Sequence, residues 1–195
     1  MHDGQLRSFV AIPLPGELKS KIAIFQSGFK TLGFGFVKWV EPESMHLTLK
    51  FLGNQNLMKL ETVKRVLNTC TAGCKPFTLS TGQIGCFPNY RRIRIFWLGL
   101  DGDVDRLLDL QEEIDKALAK EGFPREGRPF TAHLTLARLR DESSPQDRLE
   151  LAEKIQGASF EPCCGFNVDH IVLMKSTLTP HGPLYTRLSE FKFGI

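Results

Sequence analysis

His46-Leu47-Thr48-Leu49-Lys50-Phe51-Leu52-Gly53 is the stretch that decides the fold, because His133-Leu134-Thr135-Leu136-Ala137-Arg138 repeats its pattern 87 residues later. In both stretches polar side chains alternate with leucines, which is typical of a β-strand with one buried face. We therefore expect a strand whose polar face carries His46, Thr48 and Lys50. Its core face would carry the alternate residues, Leu47, Leu49 and Phe51.

The repeat extends beyond these two strands. Phe96 follows Phe9 by the same 87 residues, so both halves of the chain show one order of strands and helices. Two copies of one unit usually pack about a pseudo-twofold axis, which would bring equivalent residues face to face. We therefore predict a bilobal α+β fold in which antiparallel sheets flanked by helices enclose a central cleft. Residues 1–195 would form a single domain, with halves at about 1–88 and 89–195.

Hydrophobic periodicity predicts the remaining elements. Apolar residues recur every three or four positions in four segments, which is typical of amphipathic helices. These segments are 18–32, 57–67, 104–118 and 149–155. Short apolar runs bounded by turn residues indicate further strands. Those runs are 7–12, 77–84, 93–100, 166–174 and 184–193.

The two His-x-Thr motifs carry the chemistry that the sequence indicates. On each strand an imidazole and a hydroxyl share the polar face, so a twofold arrangement would bring two of each into one cleft. One imidazole can take a proton from water while the other gives a proton to a departing oxygen. An unperturbed histidine pKa near 6.5 suits both roles at neutral pH. Threonine hydroxyls can donate hydrogen bonds to phosphate oxygens as negative charge builds on them.

The composition restricts the classes of function. A net charge of +3 over 195 residues means that any attraction to nucleic acid must come from local patches of arginine. These patches are Arg91-Arg92-Ile93-Arg94, Arg125 with Arg128, and Arg138 with Arg140. No glycine-rich phosphate loop follows any expected strand, which argues against nucleotide-triphosphate chemistry. No run approaches the roughly 18 apolar residues that would span a bilayer, and no secretory signal precedes the first strand, so we expect a cytoplasmic protein.

The cysteines and the other histidines receive no role. Five cysteines are an odd number without a second ligand pair at zinc-site spacing, so we expect reduced thiols, no metal and no cofactor. They are Cys70, Cys74, Cys86, Cys163 and Cys164. His170 lies in an apolar run, His181 in a Pro/Gly turn and His2 near the terminus, so none of the three is expected to take part in chemistry.

Over nearly its whole length, the chain resembles the two-histidine phosphoesterase superfamily. Within it the chain resembles the RNA 2′,3′-cyclic phosphodiesterases, also named 2′-5′ RNA ligases. The resemblance rests on residues 7–12, Trp39, 46–53, 96–100 and 133–138, and on Gly182-Pro183-Leu184-Tyr185. It implies that a terminal 2′,3′-cyclic phosphate is opened to a 2′-phosphate on RNA or an oligonucleotide, without a metal or a membrane.

The resemblance also implies a role for each site residue. His46 would be the proton donor to the leaving 3′-oxygen, and His133 the proton acceptor that activates water. Thr48, Thr135 and Arg138 would hold the phosphate. Arg138 lies five residues after His133, an odd spacing that requires a bulge or a strand end if its side chain is to reach the cleft. Phe9 and Tyr185 are candidates for contacting the terminal nucleotide, although Phe9 could equally be core.

Other functions remain open on the sequence. One is a 2′-5′ RNA ligase, because both directions share a transition state. Another is a phosphodiesterase for 2′-5′ oligonucleotides or cyclic nucleotides. A third is a non-catalytic nucleotide- or RNA-binding module, against which the two intact histidines argue. We expect a monomer.

Overall fold

The computed structural model describes residues 5–161, 165–180 and 182–194 of the chain. Four α-helices lie in this part: α1 (Gly16–Lys30), α2 (Leu57–Ala72), α3 (Val104–Lys120) and α4 (Pro145–Gln156). The strands of the first half are β1 (Leu6–Pro13), β2 (Val37–Trp39), β3 (His46–Gln55) and β4 (Phe77–Phe87). Those of the second half are β5 (Ile95–Gly102), β6 (His133–Leu139), β7 (Phe166–Val168), β8 (His170–Thr179) and β9 (Gly182–Lys192).

The strands form two antiparallel sheets. The first sheet has the order β3-β1-β8-β9, and the second has the order β2-β6-β5-β4-β7. β1 lies beside motif strand β3 in the first sheet, just as β5 lies beside motif strand β6 in the second. The predicted α+β class, with antiparallel sheets and flanking helices, is confirmed.

Each sheet takes strands from both halves of the sequence. β8 and β9 complete the first sheet, whereas β2 and β4 lie in the second. Neither sheet could form from one half alone. We therefore propose that the two halves fold together as one domain.

The helices cover one side of each sheet. α2 and α3 lie against the first sheet, where α3 contacts β3 and α2 contacts β8 and β9. α1 lies against the second sheet, where Phe29 packs on Phe96 with ring centroids 5.2 Å apart. α4 lies beside β4. Burial of the apolar faces between helices and sheets is the main stabilising contribution to this packing.

The first motif strand contains a β-bulge. On β1, Val10 pairs with Lys50 and the next residue, Ala11, pairs with Thr48, so Leu49 is an extra residue on β3. A bulge of one residue shifts the alternation of side chains. Leu49 and Lys50 are consequently both buried, although they are neighbours in the sequence.

The second motif strand contains the same bulge at the equivalent position. Phe96 on β5 pairs with Ala137 and the next residue, Trp97, pairs with Thr135, so Leu136 is the extra residue on β6. Leu136 and Ala137 are both buried. Because of the bulge, Arg138 is exposed on the same side of the sheet as Thr135, as its odd spacing required.

The bulge in β3 shows that two of our predictions about side-chain orientation are wrong. Lys50 was expected beside His46, but only 2% of its surface is exposed and it lies on the core side. Phe51 was expected in the core, but it is 60% exposed and packs beside Phe9 with ring centroids 6.1 Å apart. Strict alternation fails after Leu49 because the bulge adds one residue to the strand.

The predicted equivalence of Phe9 and Phe96 is wrong by one residue. In the first sheet, Phe9 pairs with Phe51. The residue equivalent to Phe51 in the second half is Arg138, and it pairs with Ile95 rather than with Phe96. The separation between β1 and β5 is thus 86 residues, not 87. Phe96 is a fully buried core residue, whereas Phe9 belongs to a small cluster on the other side of the first sheet.

Two buried glutamines hold the bulges. The side-chain amide of Gln26 on α1 donates to the carbonyl of Leu136 at 3.0 Å and to that of Val40 at 2.9 Å. The amide of Gln111 on α3 donates to the carbonyl of Leu49 at 3.4 Å. The carbonyl of Leu136 also accepts from the N–H of Val40 at 2.9 Å, so Gln26 adds a second donor there and satisfies the buried carbonyl of Val40. The two helices therefore support the two bulges in the same way.

Candidate active site

The two motif strands meet although they belong to different sheets. Cα atoms of β3 and β6 lie within 8 Å of each other. Burial lowers the pKa of His133 and raises that of Tyr185, and the positive charge of Arg138 acts on both groups. Tyr185 in turn contacts the His46 ring, with centroids 4.9 Å apart. The structure thus gathers His46, His133, Arg138 and Tyr185 around one cleft.

Both imidazoles are held by the same hydrogen bond. Nδ1 of His46 lies 2.9 Å from the carbonyl oxygen of Ser44, and Nδ1 of His133 lies 2.7 Å from that of Thr131. A carbonyl oxygen can only accept, so Nδ1 carries the hydrogen in both rings. Nε2 is therefore the atom through which each ring can exchange a proton.

The two threonines offer their hydroxyls to the same cleft. Thr48 and Thr135 are partly exposed, and each follows its histidine by two residues on the same face of the strand. Neither hydroxyl has a hydrogen-bond partner among the described residues. Both are thus able to donate to a bound anion.

Aromatic rings support His46. Phe9 stacks on the imidazole with centroids 4.5 Å apart and an interplanar angle of 24°. Tyr185 meets His46 edge-on, and it meets Phe9 at 5.2 Å. Only 2% of Phe9 is exposed, which revises the expectation that it contacts a nucleotide, because its surface is already covered. Phe9 instead fixes the plane of the His46 ring, while Tyr185 stays partly open to the cleft.

A second aromatic pair surrounds His133. Phe87 meets its ring edge-on at 5.1 Å, and Trp97 lies at 6.4 Å. Sequence reasoning missed both residues. Trp97 lies in the segment 96–100 and directly follows the buried Phe96. Because side chains alternate along a strand, this position could have indicated that Trp97 faces the cleft.

Burial lowers the pKa of both histidines. The pKa of His46 falls to about 4, because burial disfavours the imidazolium more than the hydrogen bond to Ser44 favours it. Burial also lowers the pKa of His133, and the charge of Arg138 acts in the same direction. At neutral pH both rings of the free protein are therefore neutral, and each Nε2 is ready to accept a proton.

Comparisons with known proteins show the family of this chain. The family described as the 2′-5′ RNA ligase superfamily matches residues 26–179. The chain belongs to this superfamily. An RNA 2′,3′-cyclic phosphodiesterase of Methanothermobacter thermautotrophicus is 35% identical over 188 residues, which cover 96% of this chain and 99% of that protein. One of Methanocaldococcus jannaschii is 36% identical, covering 95% of this chain and 100% of that protein.

Solved structures of similar proteins share the fold. Escherichia coli LigT in complex with 3′-AMP has a TM-score of 0.75 at 25% identity, covering 97% of this chain and 98% of that one. A Thermus thermophilus protein has a TM-score of 0.77 at 25% identity, covering 96% and 98%. The bilobal fold that the sequence predicted is thus the fold of this superfamily.

In this member of the superfamily, the buried Lys50 connects the two motifs. Its ammonium contacts the carboxylate of Asp115 on α3 and donates to the carbonyl of Pro124 at 2.8 Å. Asp115 also binds Nε of Arg125 at 2.9 Å and accepts from the backbone N–H of Glu126 at 3.3 Å. These bonds tie β3 to the segment that leads into His133. Arg125, expected as part of a basic patch, is thus partly neutralised by this ion pair.

The remaining histidines and cysteines belong to neither motif, and four of them lie outside the described residues. His170 pairs with Asp169 at 2.6 Å at the start of β8. Cys70, Cys74 and Cys86 are free thiols whose pKa is raised by burial. The positions outside the described residues are His2, His181, Cys163 and Cys164. None of the helices in the described part of the chain is long and apolar enough to cross a membrane.

Proposed function

We propose that this protein opens the terminal 2′,3′-cyclic phosphate of RNA to a 2′-phosphate by acid and base catalysis with two histidines. The observation that carries the proposal is the matched pair of rings, each with Nδ1 bound to a carbonyl and Nε2 available for proton transfer. The names of the relatives from Methanothermobacter and Methanocaldococcus support the same substrate.

In the proposed reaction His133 takes a proton from water through Nε2, and the water oxygen attacks phosphorus. The bond from phosphorus to the 3′-oxygen breaks, and His46 gives its Nε2 proton to that oxygen. The product then carries a 3′-hydroxyl and a 2′-phosphate. The overall reaction consumes one water and requires no other reactant.

Three side chains would hold the phosphate. The hydroxyls of Thr48 and Thr135 donate to non-bridging oxygens, and the guanidinium of Arg138 balances their negative charge. The bulge at Leu136 turns Arg138 to the face of the sheet that carries Thr135, which supports this role. Tyr185 contacts the ring of His46 and stays partly exposed, which suits a contact with the terminal nucleotide.

The lowered pKa of His46 sets a requirement for this mechanism. At neutral pH only about one molecule in 10³ would carry the acid proton if the pKa stayed near 4. A bound phosphodiester places a negative charge beside the ring, which raises a histidine pKa. We infer that substrate binding itself protonates His46, so that the acid forms only where a phosphate is present.

A ligase acting on the same ends is the second candidate, because one site must catalyse both directions of a reaction. A phosphodiesterase for 2′-5′ oligonucleotides or small cyclic nucleotides would use the same groups. A module that only binds nucleotides would not need two rings with identical orientation. We propose catalysis without a metal ion, since neither motif contains a carboxylate cluster or a cysteine pair.

The test is to offer an RNA with a 2′,3′-cyclic phosphate end in the presence of EDTA. We expect a 2′-phosphate product, which a 3′-specific phosphatase cannot remove. His46→Ala and His133→Ala should each lose at least about 10² in rate. A 3′-phosphate product, or full activity in either variant, would refute the assignment of the two histidines.

A further inference from the structure

Three exposed cations lie next to one another at the outer end of β6. Arg138 and Arg140 are two residues apart and share one face, since the N–H of Arg140 continues the ladder by donating to the carbonyl of Phe36 at 2.9 Å. Lys38 is the direct cross-strand partner of Arg138 on β2. Paired residues in neighbouring strands point to the same side of a sheet. We call Lys38, Arg138 and Arg140 the basic strip.

The charge of the basic strip is not neutralised by its surroundings. None of its side chains forms an ion pair or a hydrogen bond within the described part of the chain. Its neighbours on the same face are Phe36, Ile95 and Thr135, none of which is acidic. Like charges placed side by side repel one another, so this arrangement costs free energy in the unbound protein. An anionic partner would remove that cost.

The basic strip starts inside the cleft and leads out of it. Arg138 shares its face with Thr135 and acts on His133 and Tyr185. Lys38 lies beside Arg138 on the edge strand β2, and Arg140 follows the end of β6. Residues two apart on a strand are about 6.5 Å apart and directly paired residues about 5 Å, so Arg140 and Lys38 both lie close to Arg138. Phe36 lies beside Arg140, with its ring 5.5 Å from Phe34 and partly exposed. Cations interleaved with an aromatic ring are typical of sites for single-stranded nucleic acid.

We propose that Lys38 and Arg140 bind the backbone phosphates that precede the cyclic end of a single-stranded RNA. The proposal rests on the proposed function, because it assumes that the cyclic phosphate occupies the cleft beside Arg138. Its consequence is a preference for the ends of oligonucleotides over cyclic mononucleotides. A mononucleotide has no preceding backbone and therefore cannot use the outer two cations.

The experiment compares two substrates in the double variant Lys38→Ala/Arg140→Ala. One is adenosine 2′,3′-cyclic phosphate, and the other is a ten-nucleotide RNA with a 2′,3′-cyclic end. We expect KM for the RNA to rise at least about tenfold, with kcat for the mononucleotide within about twofold of wild type. Two lost phosphate contacts should reduce the slope of log(kcat/KM) against log[salt] for the RNA by about 1.4. The control Lys120→Ala/Lys154→Ala removes the same charge from exposed ends of α3 and α4 and should change neither substrate.

Three outcomes of the kinetic comparison would overturn the basic strip as an RNA site. They are an unchanged KM for the RNA, an equal loss for both substrates, and the same loss in the control variant. Fluorescence anisotropy with the same RNA measures binding without turnover. If the wild type turned over neither substrate, the proposed function would fail, while strip-dependent binding of RNA would still decide the present proposal. Equal competition by polyglutamate would show an unspecific anion surface and also refute it.

Discussion

Replacing the buried Gln26 by methionine tests how the catalytic cleft is built. Methionine has a similar volume, but it cannot donate to the carbonyls of Leu136 and Val40 as Gln26 does at 3.0 and 2.9 Å. Leu136 is the bulge residue that turns Arg138 towards the cleft. Gln111→Met is the matched variant, since Gln111 supports the bulge at Leu49 through one bond of 3.4 Å.

The number and length of these bonds set the expected magnitudes. Each buried hydrogen bond contributes about 1 kcal/mol, and a buried carbonyl left without a partner costs about 1 to 3 kcal/mol. Leu136 keeps a second donor, the N–H of Val40 at 2.9 Å, so the carbonyl of Val40 bears most of the loss. Gln26→Met should therefore cost about 2 to 4 kcal/mol, and Gln111→Met about 1 kcal/mol or less. For a chain of this size, the melting temperature should fall by about 5 to 15 °C in Gln26→Met and by less than about 4 °C in Gln111→Met.

Calorimetry measures the loss of stability, and steady-state kinetics measures the loss of activity independently. Well below its melting temperature, Gln26→Met should lose at least about tenfold in kcat/KM, because a relaxed bulge no longer directs Arg138 to the phosphate. The reasoning would be refuted if Gln26→Met were no less stable than Gln111→Met. It would also be refuted if a clearly destabilised Gln26→Met kept full kcat/KM in its folded fraction.

The remaining predictions concern the cleft itself. The profile of kcat/KM against pH should be bell-shaped and centred below neutrality, because the pKa of both histidines is lowered in the free protein. The profile of kcat should be centred at higher pH, and coincident centres would argue against protonation of His46 by the bound phosphate. Thr48→Val should lower kcat with little change in melting temperature, whereas Leu47→Ala should cost about 2 to 5 kcal/mol and leave the folded fraction active. Exhaustive EDTA treatment should leave turnover intact, and loss of turnover that Mg²⁺ or Mn²⁺ restores would contradict acid and base catalysis by His46 and His133.

Local periodicity predicted the four helices, most strands and the first half of each motif. The run 166–174, predicted as one strand, is divided between β7 and β8, which lie in different sheets. The alternation that places His46 and Thr48 on one face holds as far as Leu49, and the apolar spacing of α1 to α4 matches the helices. The pairing of Nδ1 with a carbonyl could not be predicted. It depends on the path of the backbone two residues before each histidine, which side-chain patterns do not reveal.

The two bulges are the main structural feature that could not be predicted from the sequence. Nothing in a run of alternating leucines marks Leu49 or Leu136 as an extra residue, because the neighbouring strand and a glutamine on a distant helix determine where the ladder breaks. Lys50 and Phe51 were placed on the wrong faces for this reason. For Arg138, the sequence showed that its odd spacing from His133 conflicts with a side chain in the cleft. The bulge at Leu136 removes this conflict.

The exchange of strands between the two sheets has a consequence during synthesis on the ribosome. β1 needs β8 as its second neighbour, yet His170, which begins β8, is made about 160 residues after β1. At typical translation rates β1 then waits roughly 10 to 30 s with one open edge. An unpaired, apolar strand edge is a template for pairing with other chains. Nascent chains that stop before β8 should therefore need a chaperone to stay monomeric, and slower growth at low temperature would lengthen that wait.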